Sequence, residues 1–238
     1  MTIDIEKLRA GAAEWGVVLD RTALTRFDNY AALLIEWNQK INLTAIREPD
    51  EIVTKHFIDS LAPLSFLKLQ SGAKVIDVGT GAGFPGMAFL VARPDLRVTL
   101  LDGTKKKLIF LQKVLTALGL EAETLHMRAE EAGQNSAYRE QFDCVTARAV
   151  SGLRELSEYC LPFVKVGGYF APLKAAGISE ELAEARAAFT RLGGELERVE
   201  AYQVAGAGGR SLPILKKISR TSPKYPRPSA QIAKKPLV

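Results

Sequence analysis

Four glycines within eight residues, directly behind a short apolar run, limit the possible folds of this chain more than any other feature. The stretch is VIDVGTGAGFPG, Val75–Gly86. The apolar, β-branched run before it predicts a strand over Lys74–Val78. Gly79, Gly81 and Gly83 then fit a tight turn, because glycine adopts positive φ freely and lets a ligand approach the backbone. Pro85 suits the first position of a following helix, where its missing N–H costs nothing. A strand, a glycine turn and a helix start in that order form a nucleotide-binding unit. The free N–H groups of the helix point at the ligand.

The rhythm of the chain agrees. Apolar residues recur at helical spacing before residue 70, as at Leu24, Phe27, Leu33, Leu34 and Trp37. Beyond it, strand-like runs over 97–102, 123–127, 142–147 and 168–173 alternate with helical runs over 105–118, 153–161 and 179–192. Two further strands, 195–204 and 212–218, follow each other through AGAGGRS without a helix, as a hairpin at the sheet edge. Pro213 fits such an edge. The expected class is α/β: a Rossmann-like, seven-stranded, mostly parallel sheet with an N-terminal helical extension. The expected divisions are 1–70 (helical), 71–219 (ligand-binding) and 220–238 (an extended, proline-rich tail).

Charge separates the tail from the body. Residues 201–238 contain eight Lys and Arg and no acid, whereas the whole chain of 238 residues is only +5. A basic end on a mildly acidic body suits a polyanion such as RNA. Arg210, Lys224, Tyr225, Arg227, Lys234 and Lys235 are the candidate contacts, with Tyr225 available for stacking on a base. No run of about 18 apolar residues suggests a membrane span. The N-terminus lacks a secretory pattern. Cys144 and Cys160 have no metal-ligand spacing, so reduced core thiols, a cytoplasmic location and no metal are expected.

The ligand class turns on acidic residues. Gly81 to Gly86 formally matches G-x-G-x-x-G, the dinucleotide fingerprint. Asp77, two residues before the first glycine, is poor company for a pyrophosphate and suits a cationic ligand. The pattern D-x-G-x-G-x-G is that of S-adenosylmethionine-dependent methyltransferases. Asp102 closes the second strand and can accept hydrogen bonds from a ribose, which both ligands have. Ala129 and Glu130 follow the third strand, where a backbone N–H and a carboxylate can read an adenine edge. Arg148 ends the fourth strand, placed for a carboxylate, a phosphate or a surface ion pair. His56 and Asp59 stand at i, i+3 and can pair on one helix face.

Several segments together resemble one family, the bacterial guanine-N7 methyltransferases of small-subunit (16S) ribosomal RNA, also called glucose-inhibited division protein B. The carriers are EWNQKINLTAI (36–46), HFIDSL (56–61), DVGTGAGFPG (77–86), RAE (128–130), ARAV (147–150), YPR (225–227) and the closing KKPL. The resemblance implies a Rossmann-like methyltransferase, S-adenosyl-L-methionine as donor and 7-methylguanosine in 16S rRNA as product, made by a monomer. It implies donor contacts at Gly79, Phe84, Asp102, Ala129, Glu130 and Arg148, to which the reading of the turn adds Asp77 and Gly81. A small-molecule methyltransferase of the same fold and a non-catalytic RNA-binding module remain alternatives.

Overall fold

The computed structural model describes residues 1–237. The chain opens with helices α1 (Ile5–Ala13) and α2 (Arg21–Asn38), whose N-caps Asp4 and Asp20 accept from the backbone N–H three residues on. α3 (Pro49–Glu51) and α4 (Asp59–Leu61) are the two ends of one helical run, and its middle, Ile52–Ile58, is π-helical. Then come β1 (Lys74–Val78), α5 (Gly86–Ala92), β2 (Arg97–Asp102), α6 (Lys105–Leu118), β3 (Glu123–His126), α7 (Ala129–Gln134), β4 (Phe142–Arg148), α8 (Leu153–Cys160), β5 (Val164–Ala175), α9 (Ser179–Arg191), β6 (Gly194–Val204), β7 (Gly208–Lys217) and α10 (Ser229–Lys234).

The strands form one sheet in the order β3-β2-β1-β4-β5-β7-β6. β1 to β5 are parallel, and β7 and β6 complete the sheet antiparallel. Pro213 therefore sits on an inner strand, not at the edge. It is accommodated because the β5–β7 ladder is interrupted between Phe170↔Leu215 and Lys174↔Ser211. That gap sets Pro213 opposite Pro172, two residues that have no N–H to donate.

Both faces of the sheet are covered. Phe27, Leu34 and Phe57 of the N-terminal helices share one core with Val75, Phe89 and Phe110. Phe163, Phe170 and Phe189 lie in the core on the other face, with α8 and α9. No helix among the described residues is long and apolar enough to cross a membrane.

The C-terminal segment is not an extended tail. Its path is fixed by polar groups of the body. The Arg139 guanidinium donates to the carbonyls of Thr221 (2.8 Å), Ser222 (3.1 Å) and Tyr225 (2.8 Å). Glu158 is fully buried, and its carboxylate takes the Arg227 guanidinium at 2.8 and 2.6 Å and the Arg227 N–H at 2.9 Å. The Lys217 ammonium donates to Leu161 O (2.6 Å) and Thr221 Oγ1 (2.5 Å), and burial lowers its pKa to about 8. Ile232 and Leu237 are buried at the end of the wrap.

Candidate active site

The glycine turn lies at the carboxyl end of β1, and its shape is set by a buried acid. Asp77 Oδ2 accepts from Thr80 Oγ1 (2.7 Å) and from the Gly86 N–H (2.9 Å), so it ties both ends of the turn together. Gly86 has to be glycine there: a Cβ would stand 2.7 Å from Asp77 Cβ. Gly79, Gly81 and Gly83 all have positive φ (70°, 59° and 102°). α5 begins at Gly86, with Pro85 as its cap and not its first residue. Asp77 itself is fully buried, and burial pushes its pKa up to about 6. Its charge is therefore not displayed on the cleft wall, and its direct role is to hold the turn. Its second oxygen, Oδ1, is buried without a partner.

A cleft of about 410 Å³ opens beside this turn. Gly79, Asp102, Ala129 and Glu130 line it, together with Glu155 and Tyr159 of α8. Asp102 Oδ2 accepts from the Gly81 N–H (3.0 Å) and Oδ1 from the Thr104 N–H (2.8 Å), which fixes the carboxylate at the mouth. Burial raises the pKa of the Tyr159 hydroxyl, and the charges of Glu130 and Glu155 add to the shift. Glu155 and Tyr159 escaped the sequence reading. Their one signal was i, i+4 spacing on a helix after the fourth strand.

Two expected donor contacts, Phe84 and Arg148, belong to a second layer behind the turn. Phe84 is 4% exposed and stacks between His56 (4.4 Å, 11°) and Tyr30 (5.4 Å, 20°). The Arg148 guanidinium lies 5.0 Å from the same ring. It is no surface ion pair. Nη1 donates to Lys55 O (3.2 Å), Asp59 Oδ2 (3.2 Å) and Ser60 Oγ (3.3 Å), and Nη2 to His56 Nδ1 (3.1 Å). His56 and Asp59 thus meet on Arg148 and not on each other, because the π-helical turn carries both toward the sheet. The residue after Arg148, Ala149, has φ 57°, a strained conformation of the kind that gathers at functional sites.

These contacts fix the tautomer of His56. A guanidinium only donates, so Nδ1 accepts and Nε2 carries the hydrogen. Nε2 donates to Thr44 Oγ1 at 2.8 Å. Burial and Arg148 lower the His56 pKa to about 3, which keeps the ring neutral. Asn38 secures Thr44 in turn: its Oδ1 accepts from the Leu43 and Thr44 N–H groups, and its Nδ2 donates to Thr44 O. The Asn-Leu-Thr segment is therefore connected to Arg148 through one imidazole.

The expected RNA contacts separate. Lys224, Lys234 and Lys235 are exposed. Tyr225 is 6% exposed, with Lys224 and Arg227 over its ring, so it has no free face for a base. Arg227 is bound to Glu158. Arg210 reaches inward, and its Nε donates to Asp59 Oδ1 at 2.6 Å.

The residues present fit a nucleoside-bearing methyl donor. A Cβ at Gly79 would stand 2.8 Å from Val150 Cγ2, so any side chain there would fill the space between two residues that line the cleft. The cleft combines a ribose-type acceptor, Asp102, with the Ala129–Glu130 start of α7. Sheet order, glycine turn and cleft together define a Rossmann-like methyltransferase. The same fold occurs in TrmN from Thermus thermophilus (TM-score 0.53, 19% identity, 73% of this chain and 55% of that one). It occurs also in an S-adenosylmethionine-dependent O-methyltransferase from Thermotoga maritima (TM-score 0.55, 16% identity, 79% and 73% coverage). Sequence narrows the class. The family model "rRNA small subunit methyltransferase G" matches residues 23–208. Ribosomal RNA small subunit methyltransferase G of Thermoanaerobacter sp. (strain X514) is 47% identical over 235 residues, 98% of each chain. The protein of the same name from Brevibacillus brevis is 46% identical over 228 residues, 95% of this chain and 96% of its own. The chain belongs to the rRNA small subunit methyltransferase G family.

Proposed function

We propose that the protein transfers a methyl group from S-adenosyl-L-methionine to N7 of a guanosine in 16S rRNA of the small ribosomal subunit. The observation that carries this reading is the glycine-turn cleft with Asp102 at its mouth, in a chain of this family. The donor, when bound, supplies a methyl group on a positively charged sulfur. In this cleft Asp102 would accept from ribose hydroxyls, the Ala129 N–H and Glu130 would read the adenine edge, and Gly79 would leave the backbone open to close approach.

Guanine N7 has an in-plane lone pair and no proton, so the transfer needs no general base. Both ring nitrogens of His56 are already engaged, which suits a site that moves no proton. Alignment of the acceptor nitrogen with the donated methyl is then the main contribution to rate. N7 of a paired guanine lies in a deep, narrow groove, so the target base has to be presented from a loop or from partly assembled RNA. The same reading makes the protein a cytoplasmic monomer, and its two buried free thiols suit a reducing compartment.

Purified protein incubated with methyl-labelled donor and 30S particles or 16S RNA should place label on guanine N7. Label found solely in protein or in small molecules would contradict the proposal.

A further inference from the structure

One group of charges at this edge of the sheet is not needed to shape the donor cleft. Asp59 is 4% exposed on its side chain and accepts from two guanidiniums, Arg148 at 3.2 Å and Arg210 at 2.6 Å. The neighbouring Lys174 is matched by Glu181 at 2.7 Å, and His56 is neutral. Arg148 is balanced by Asp59 and by the charge of Asp77 behind it, whereas Arg210 shares Asp59 alone and keeps a partly exposed edge.

The unused hydrogen-bonding capacity lies on Arg210. Arg148 gives both Nη1 hydrogens and one Nη2 hydrogen to protein acceptors. Arg210 gives its Nε hydrogen to Asp59 and one Nη1 hydrogen to Gly209 O. Three of its five N–H groups have no protein partner among the described residues. Directly across the ladder, Tyr202 is 8% exposed, and its hydroxyl is buried without a partner.

The chain around Arg210 is free of bulk. Residues 175–177 are Ala-Ala-Gly and residues 205–209 are Ala-Gly-Ala-Gly-Gly. Arg210 pairs with Ala175, and the Ala176 N–H donates to Gly209 O, so the two segments lie side by side. A Cβ at Gly177 or Gly208 would meet nothing within 4 Å. A large ligand can therefore come close to the backbone on both sides of the cation.

Strand order indicates which anion belongs there. The donor cleft draws its lining from the ends of β1, β2 and β3 and from residues 150–159, with none from β5, β6 or β7. Arg210 sits on β7, beyond β4 and β5 on the side of the sheet away from that cleft. We propose that Arg210 binds a backbone phosphate of the acceptor RNA, with Asp59 as the positioning residue that holds its guanidinium beside Arg148. The proposal rests on the RNA reading above.

The test uses the full chain and 16S RNA, with direct binding measured across a salt series and methyl transfer measured in parallel. The Arg210→Ala variant should weaken RNA binding about tenfold and lower the slope of log K against log salt by about one. Donor affinity, by calorimetry, should stay within about twofold. Arg210→Lys should restore the salt slope and only part of the affinity, because it keeps the charge without the planar fork. Asp59 keeps Arg148 in either variant, so no buried carboxylate is left unpaired, and a thermal melt checks the fold. Asp59→Asn should raise the KM for RNA, with the salt slope intact. Unchanged RNA binding and slope in Arg210→Ala would overturn the subsite. So would a loss of donor affinity that parallels the loss of RNA affinity, since the anion would then be the donor's carboxylate. A wild type that binds RNA with an Arg210-dependent slope but transfers no methyl group would refute the proposed function and leave the subsite standing.

Discussion

The sheet has a cavity at each edge, and the larger one lacks the features of a ligand site. At the amino ends of the strands lies a cavity of about 640 Å³ lined by side chains such as Lys74, Arg97, Glu123, Tyr138 and Phe142. At the carboxyl ends lies the cleft of about 410 Å³. The amino-edge lining contains no glycine. The carboxyl edge has three positive-φ glycines, a strained Ala149, a buried acid with one oxygen unpartnered, and a helix N-terminus. Volume comes from how strands and helices diverge. A site comes from backbone that is held in costly conformations for a ligand's sake.

The strongest way to break this contrast is at Gly79. A valine there would have to adopt φ near +70° and would meet Val150 Cγ2 at 2.8 Å. We expect Gly79→Val to abolish measurable donor binding in calorimetry while the sheet still folds. Retained affinity would mean that the cleft is not the donor site. The next largest effect is expected at Arg148. Arg148→Ala removes the cation over Phe84 and leaves His56 Nδ1 and Lys55 O without their donor. A rate loss of about a hundredfold is expected, the scale on which small misplacements act. A rate near wild type would place Arg148 outside the machinery.

The two edges were not equally legible in the sequence. The strand, glycine turn and helix of the carboxyl edge were readable because each rests on local rules, such as β-branched runs and positive-φ glycine, although Pro85 caps the helix and does not open it. β1, β2 and α6 accordingly have the bounds that their residues suggest. What stayed hidden depends on distant partners. The basic C-terminal segment reads as an extended tail because nothing local reveals that Glu158, 69 residues away, is buried and needs Arg227. The His56–Asp59 pair reads as a helix-surface contact because nothing local announces a π-helical turn. α7 was lost in the acidic run after Arg128, being only six residues long.

Asp77 provides a test of intermediate size. Its folded pKa of about 6 lies above the ordinary 3.8, so the folded state holds its proton more tightly than the unfolded chain does. Stability contributed by the protonated carboxyl is therefore fully present below about pH 4 and lost as pH rises through about 6. The loss should be on the order of 3 kcal/mol. Asp77→Asn keeps an acceptor for Thr80 and Gly86 and cannot ionise. The stability difference between wild type and this variant, followed by denaturant titration from pH 4 to pH 7, should shift against the wild type. A difference independent of pH would mean that Asp77 titrates normally and that the turn is held by something else.

The smallest effect is expected at the amino edge. Glu123 accepts from Thr99 Oγ1 (3.0 Å) and from the Tyr138 hydroxyl (2.8 Å), so it ties two other residues of that cavity together. The bond to Tyr138 is exposed and the one to Thr99 half-buried, and an amide at this position keeps the volume and one acceptor. Glu123→Gln should change stability by no more than about 0.5 kcal/mol. Donor affinity and methyl transfer should be unchanged, because β2 and β3 separate this edge from Asp102 and Ala129 by the full length of the strands. A drop in donor affinity would show that the two edges communicate through β2 and β3, and the division of labour between them would have to be redrawn.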